Sequence, residues 1–207
     1  MARPRKKDIT TATTERILVA AQAHFSKVGF KAARLADIAN DAGITRPSLL
    51  YHFSSKEKLY NQVVENTFEQ LLALLSEAAT TEDEFSEVIE GLVDTYVEFL
   101  EKNPYVAGIV IREFAFKAGR GQEILLQQIA PILDWVETLF LQSGAGTGGL
   151  RQGLPIRAAI MQIVSDAMLR ALYPPVSALL WGEESKSREL AKILFFEEDR
   201  SSPRPES

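Results

Sequence analysis

Apolar residues recur every three or four positions along almost the whole of this 207-residue chain, and no series of segments alternates with period two. Such spacing lines side chains up on one face of a helix and leaves no half-buried strand pattern from which to build a sheet. The chain is therefore expected to be all-α, with its helix ends marked by glycine, proline and capping residues.

The first helix is expected to open at Thr13 or Thr14, with Glu15 in its first turn, to carry Ile17, Ala21, Phe25 and Val28 on one stripe, and to stop at Gly29. A short second helix follows, with Leu35, Ile38, Ala39 and Ala42 inward, and ends at Gly43. Gly43 can take the positive φ of a sharp turn, Ile44 plugs the corner, and Thr45 can cap a third helix that has Pro47 in its first turn. Ser54 and Glu57 are spaced as a capping box for a longer fourth helix, whose stripe runs through Tyr60, Val64, Phe68, Leu71 and Leu75 to a break at Thr80 and Thr81.

Beyond that break, a helix with Phe85, Val88, Ile89, Leu92, Tyr96, Phe99 and Leu100 inward is expected up to Asn103 and Pro104, and an almost apolar one from Tyr105 to Gly119. A further helix is expected over about 122–142, and the glycine-rich run Ser143 to Gly149 as a flexible connector. Residues 155–173 read as a long helix ended by Pro174 and Pro175, 184–196 as a last helix, and 201–207 as a disordered tail.

Charge is distributed unevenly. Residues 1–58 carry eleven Lys and Arg against five Asp and Glu, a net of +6, so the whole-chain net of −5 leaves −11 for the other 149 residues. A basic head on an acidic body can meet a polyanion in one orientation while the body is repelled from it. Arg3, Arg5, Lys6 and Lys7 form a basic arm that either lies along phosphates, enters a minor groove or serves as a solubilising tail.

Several chemistries find no residues to carry them. There is no cysteine, and His24 and His52 are not at metal-ligand spacing, so neither a metal nor any other cofactor is expected. The glycine-rich run follows a helix and lacks the Gly-Lys-Ser/Thr ending of a phosphate-binding loop, and no serine sits in a nucleophile elbow. No catalytic residues and no enzyme are expected. By this reading no apolar run approaches the roughly 20 residues of a bilayer span, and the N-terminus lacks a secretory pattern, so a cytoplasmic, non-membrane protein is expected.

The run from Leu35 to Leu59, LADIANDAGITRPSLLYHFSSKEKL, resembles the signature of the TetR family of transcription regulators. The match is close over about the first 60 residues and otherwise extends to length and helical organisation. The resemblance implies an N-terminal three-helix helix-turn-helix domain in residues 1–55, joined by a long helix to an all-helical effector-binding and dimerisation domain in residues 56–207.

A helix entering the major groove needs apolar residues toward its own domain and polar ones toward base edges. Leu49 and Phe53 supply the inward face, leaving Thr45, Arg46, Pro47, Ser48 and Tyr51 on or near the outward one and His52 at its end. Arg46 suits a bidentate contact to guanine, Ser48 suits several bases, and Thr45 and Tyr51 suit phosphate. Lys56 resembles the family lysine that grips the DNA backbone. Ala33 and Arg34 stand where the family often has Thr or Ser, and Leu50 where it often has Tyr. Arg34 and Tyr51 are expected to take over those backbone contacts, with Leu50 against a sugar or a thymine methyl.

For the body, the resemblance implies a homodimer through the helices in 155–173 and 184–196 and an effector pocket among the central helices. Tyr96, Phe99, Tyr105, Ile109, Phe114, Trp135 and Met168 are the candidate lining for a small, largely apolar effector. Arg112 and Glu113 either orient that effector or form a structural ion pair. The expected function is a repressor released by the effector from a palindromic operator in double-stranded DNA. The competing readings are a helical protein-interaction module and a non-specific architectural DNA-binding protein.

Overall fold

The computed structural model describes residues 6–79, 84–115, 119–147, 150–182 and 185–196. They form ten helices: α1 (Lys6–Ala32), α2 (Leu35–Asp41), α3 (Arg46–His52), α4 (Lys56–Ala78), α5 (Phe85–Lys102), α6 (Tyr105–Ala115), α7 (Arg120–Thr147), α8 (Ile156–Leu172), α9 (Pro174–Trp181) and α10 (Ser187–Phe195). Among the described residues the one extended pairing is an isolated bridge between Leu150 and Phe196, so the all-α expectation holds. Two compact units emerge, residues 1–70 with 103–130 and residues 71–102 with 131–207. Thus α6 and the first turns of α7 pack with the N-terminal helices.

In the first unit Ile17, Ala21 and Phe25 of α1, Ile38 and Ala39 of α2, Leu49 of α3 and Leu59, Tyr60, Val63 and Val64 of α4 are all buried. The Tyr60 ring meets Phe25 edge-on at 4.8 Å and Phe30 at 4.9 Å. Val28, placed on the inner stripe by spacing, is instead 39% exposed. Helix α1 is broken at Gly29, whose φ of 76° and ψ of 171° lie outside the helical region. Its expected start at Thr13 or Thr14 is corrected to Lys6. Threonine costs a helix only a few tenths of a kcal/mol, and no glycine or proline interrupts residues 6–13, so nothing stops the helix from extending back.

The fourth helix is capped one residue later than its sequence suggests. Ser55 Oγ accepts the Lys58 amide at 3.1 Å, and the Glu57 carboxylate, released from a capping box with Ser54, takes Arg120 at 2.7 Å. The break at Thr80 and Thr81, the arm residues Arg3 and Arg5 and the 201–207 tail lie outside the described residues.

The second unit is built on Phe85, Val88, Ile89 and Leu92 of α5, Phe140 of α7, Ile156, Ile160, Ile163 and Ala167 of α8 and Ala191 and Phe195 of α10. Phe140 packs against Phe195 at 4.6 Å and Phe85 at 5.6 Å. The segment before α8 is latched to the end of α10, with Arg151 N donating to Phe195 O at 2.7 Å and its guanidinium donating to Ile193 O.

Two expectations are revised here. Residues 143–147, read as part of a flexible connector, continue α7, while Gly148 and Gly149 lie outside the described residues. A helix already several turns long needs only propagation, which a few glycines at about 1 kcal/mol each do not prevent. Pro174 and Pro175 do end α8, but they also open α9, because proline lacks only a donor that a first turn leaves unpaired.

Residues 120–142 of α7 are, by length and composition, apolar enough to cross a membrane, contrary to the reading of the sequence. Gly121, Ile124 and Leu125 are buried in the first unit and Ile132 and Phe140 in the second, and 22% of the span is buried in all.

Candidate nucleic-acid interface

The turn between α2 and α3 follows from one glycine. Gly43 takes φ 68°, and its amide and that of Ile44 return to Asn40 O and Ala39 O at 3.0 Å each, satisfying carbonyls at the end of α2. Thr45 then caps α3 by accepting the Ser48 amide at 3.3 Å, and Pro47 sits in the first turn.

Helix α3 is fixed from one side. Leu49 is fully buried and Phe53 nearly so, while Thr45, Arg46, Pro47 and Tyr51 are exposed and Ser48, Leu50 and His52 are half-buried. Tyr51 is 85% exposed although its ring is among the larger apolar surfaces in the unit. A seven-residue helix that buries Leu49, is followed by buried Phe53 and turns arginine, proline and tyrosine outward leaves one face open to a partner. Arg34 is exposed at the N-cap of α2.

Lys56 lies at the start of α4, and its Nζ donates to Lys31 O at 3.0 Å and Ala33 O at 3.1 Å, 4.8 Å from the centre of the Phe30 ring. It therefore braces the end of α1 with two of its three donors. Desolvation holds its ammonium below the usual lysine range, partly offset by the charge of Glu113.

Three residues that the sequence did not place in this surface join it. Thr14 Oγ1 lies 3.2 Å from His52 Nδ1, His24 Nε2 lies 2.7 Å from Asp41 Oδ2, and the Arg16 guanidinium borders the Gly43 turn. The His24 hydrogen bond holds the Asp41 carboxyl below its usual range. Each histidine thus ties α1 to one helix of the turn. Helical phase carries part of the signal: Thr14 lies in line with Ile17, Ala21 and Phe25, His24 stands beside that stripe, and Arg16 lies off it.

The candidate effector residues divide between the units. In the first, Tyr105 Oη accepts from Gln22 Nε2 at 3.0 Å and lies 3.4 Å from Thr67 Oγ1, Ile109 is buried, and Phe114 is exposed. Arg112 Nε donates to Ser26 O at 2.9 Å, and Glu113 accepts the Phe30 amide at 2.7 Å, so both are bound to the α1 backbone. In the second, Phe99 is buried, Trp135 and Met168 are half-buried, and the Tyr96 hydroxyl is buried without a hydrogen-bond partner among the described residues.

Residues 17–63 match the family model described as bacterial regulatory proteins, tetR family. Over that stretch the chain is similar to the TetR family. Among its relatives, the transcriptional activator FasR of Mycolicibacterium smegmatis is 32% identical over 85 residues, 41% of this chain and only 39% of that protein. The transcriptional repressor KstR2 of the same organism is 28% identical over 152 residues, 69% of each chain. The crystal structure of the transcriptional regulator FadR from Bacillus subtilis, in complex with stearoyl-CoA, has the same fold, with a TM-score of 0.70 at 15% identity over 87% of this chain and 96% of that one. The matched 17–63 stretch contains Arg34, the whole of α3, Lys56, Thr45 and its cap, and the Gly43 turn.

Proposed function

We propose that the chain is a sequence-specific DNA-binding transcription regulator, a repressor released from a palindromic operator by a small, largely apolar effector, and that it works in the cytoplasm. The observation that carries this reading is α3, held by buried Leu49 and Phe53 with Arg46, Pro47 and Tyr51 turned outward. Residues 1–55 form the DNA-binding head and 56–207 the effector-binding and dimerisation body. Arg46 reads guanine, Ser48 a base edge, Thr45, Tyr51, Arg34, His52 and Lys56 hold phosphates, and Leu50 packs on sugar or methyl.

Dimerisation through α8 and α10 is supported by apolar side chains left exposed on one protomer: Met161 and Leu169 on α8 and Ile193 on α10, joined by Val176, Leu179 and Leu180 on α9. The FadR complex with stearoyl-CoA supports an apolar effector, with Tyr105, Ile109, Arg112 and Phe114 as candidate contacts in the first unit and Tyr96, Phe99, Trp135 and Met168 as those in the second. Three polar links from α6 to α1, through Tyr105, Arg112 and Glu113, support a mechanism in which a shift of α6 carries α1 with it. Effector and DNA then favour different populations of one equilibrium.

Selection of duplexes from a random-sequence pool tests the reading. A palindromic consensus with two half-sites is expected, bound by a species of dimeric mass in sedimentation. Retention without sequence preference would favour an architectural DNA-binding protein, and no retention a helical interaction module.

A further inference from the structure

We infer that Thr14 is a positioning residue for DNA binding, which acts by fixing the His52 imidazole so that its Nε2 points a proton at a phosphate. The inference rests on the proposed DNA-binding role of α3. His52 is the last residue of that helix, half-buried, with Tyr51 packed edge-on against it at 5.7 Å. Its Nδ1 is committed to Thr14 Oγ1 at 3.2 Å, a contact 38 residues apart in sequence, and among the described residues its Nε2 has no protein partner. An imidazole held at one nitrogen by a hydroxyl presents the other in a set direction. If the hydroxyl donates to Nδ1, the ring proton resides on Nε2; in the imidazolium, Nδ1–H donates to Thr14 and Nε2–H remains. These two states leave a donor on the distal edge of the ring, as a phosphate oxygen requires, whereas a neutral ring protonated on Nδ1 would leave only an acceptor there, so a phosphate at that edge selects the first two.

The contact also sets the docking of α3. Thr14 stands in the first turns of a 27-residue helix and His52 at the far end of a seven-residue one, so the bond fixes the C-terminal end of α3 against α1. The N-terminal end is fixed separately by the Thr45 cap.

The test uses the full chain and the duplex that the wild-type protein selects from a random pool. Thr14→Val is expected to weaken binding about three- to tenfold, the worth of one hydrogen bond, and Thr14→Ser to restore it. In a His52→Ala background, Thr14→Val is expected to change nothing further. Since the chain has two histidines, a His24→Gln protein leaves one imidazole to follow by 15N NMR. Its nitrogens should report a single tautomer while Thr14 is in place and an averaged pair after Thr14→Val. Additive losses, a Thr14→Ser protein as weak as Thr14→Val, or unchanged 15N shifts would each overturn the inference while leaving DNA binding intact. A wild-type protein that retains no duplex would overturn both.

Discussion

Glu113 Oε1 accepts the backbone amide of Phe30 at 2.7 Å, one residue after Gly29 breaks α1. The break strips Phe30 of the helical acceptor its amide would otherwise have, and a carboxylate from α6 replaces it, as anions do at helix starts. Glu113→Ala should therefore destabilise the protein by about 1–3 kcal/mol in urea unfolding, with Glu113→Gln less harmful because it keeps an acceptor. Gly29→Ala should cost about as much for a different reason. An added Cβ would meet Glu113 Oε1 at 3.4 Å, an ordinary contact, but φ 76° with ψ 171° is backbone that only glycine adopts at low cost.

Lys56 serves the end of α1 with two donors, and the proposed function assigns its third to a phosphate. Lys56→Met should lower the melting temperature, because Lys31 O and Ala33 O lose their partner. It should also reduce the slope of log K against log salt by about one, the signature of one lost phosphate contact. Lost stability with an unchanged slope would make Lys56 a brace alone.

Asp41 supplies a pH dependence. His24 holds its carboxyl below the ordinary value of 3.8. A carboxyl that is more acidic when folded adds stability above its unfolded pKa and loses it as pH falls through the folded value. Asp41→Asn should therefore shift the urea midpoint downward at about pH 5, and the gap from the wild type should close toward about pH 2. A gap that persists unchanged at acid pH would show that the pair contributes nothing through ionisation.

The head was legible in sequence because its signals are local. Gly43, Thr45 and Pro47 each dictate the backbone at their own position, and Leu49 with Phe53 fixes which side of α3 faces inward. The misplaced ends, Lys6 for Thr13 and Thr147 for Gln142, arose where threonine and glycine were read as stops although each lowers helix propensity only modestly. Helix α9 was missed because a Pro-Pro pair both ends one helix and begins the next, and sequence marks the first use more loudly. Contacts between distant helices, such as Thr14 with His52 or Glu113 with Phe30, follow from how helices pack and leave no periodic trace. The same holds for α6, whose association with the N-terminal helices is not marked in its mostly apolar sequence.

That association depends on Gly108. It is buried on α6, and a Cβ built there would lie 2.1 Å from Ser26 Oγ and 3.2 Å from both Ser26 Cβ and Ser26 O of α1. Gly108→Ala should then do the opposite of its usual effect in a helix. Replacing glycine with alanine ordinarily gains about 1 kcal/mol in helix propensity, but overpacking a close helix contact costs about 1–3 kcal/mol. The net change should be a loss, read as a lowered urea midpoint. Ser26→Ala removes the hydroxyl that makes the tightest contact and leaves the backbone approach at 3.2 Å, where a few tenths of an ångström of movement suffices. The double substitution should accordingly recover most of the loss, a coupling of about 1 kcal/mol or more in a double-mutant cycle. Strictly additive effects would mean that α1 and α6 are held apart by something other than these two residues.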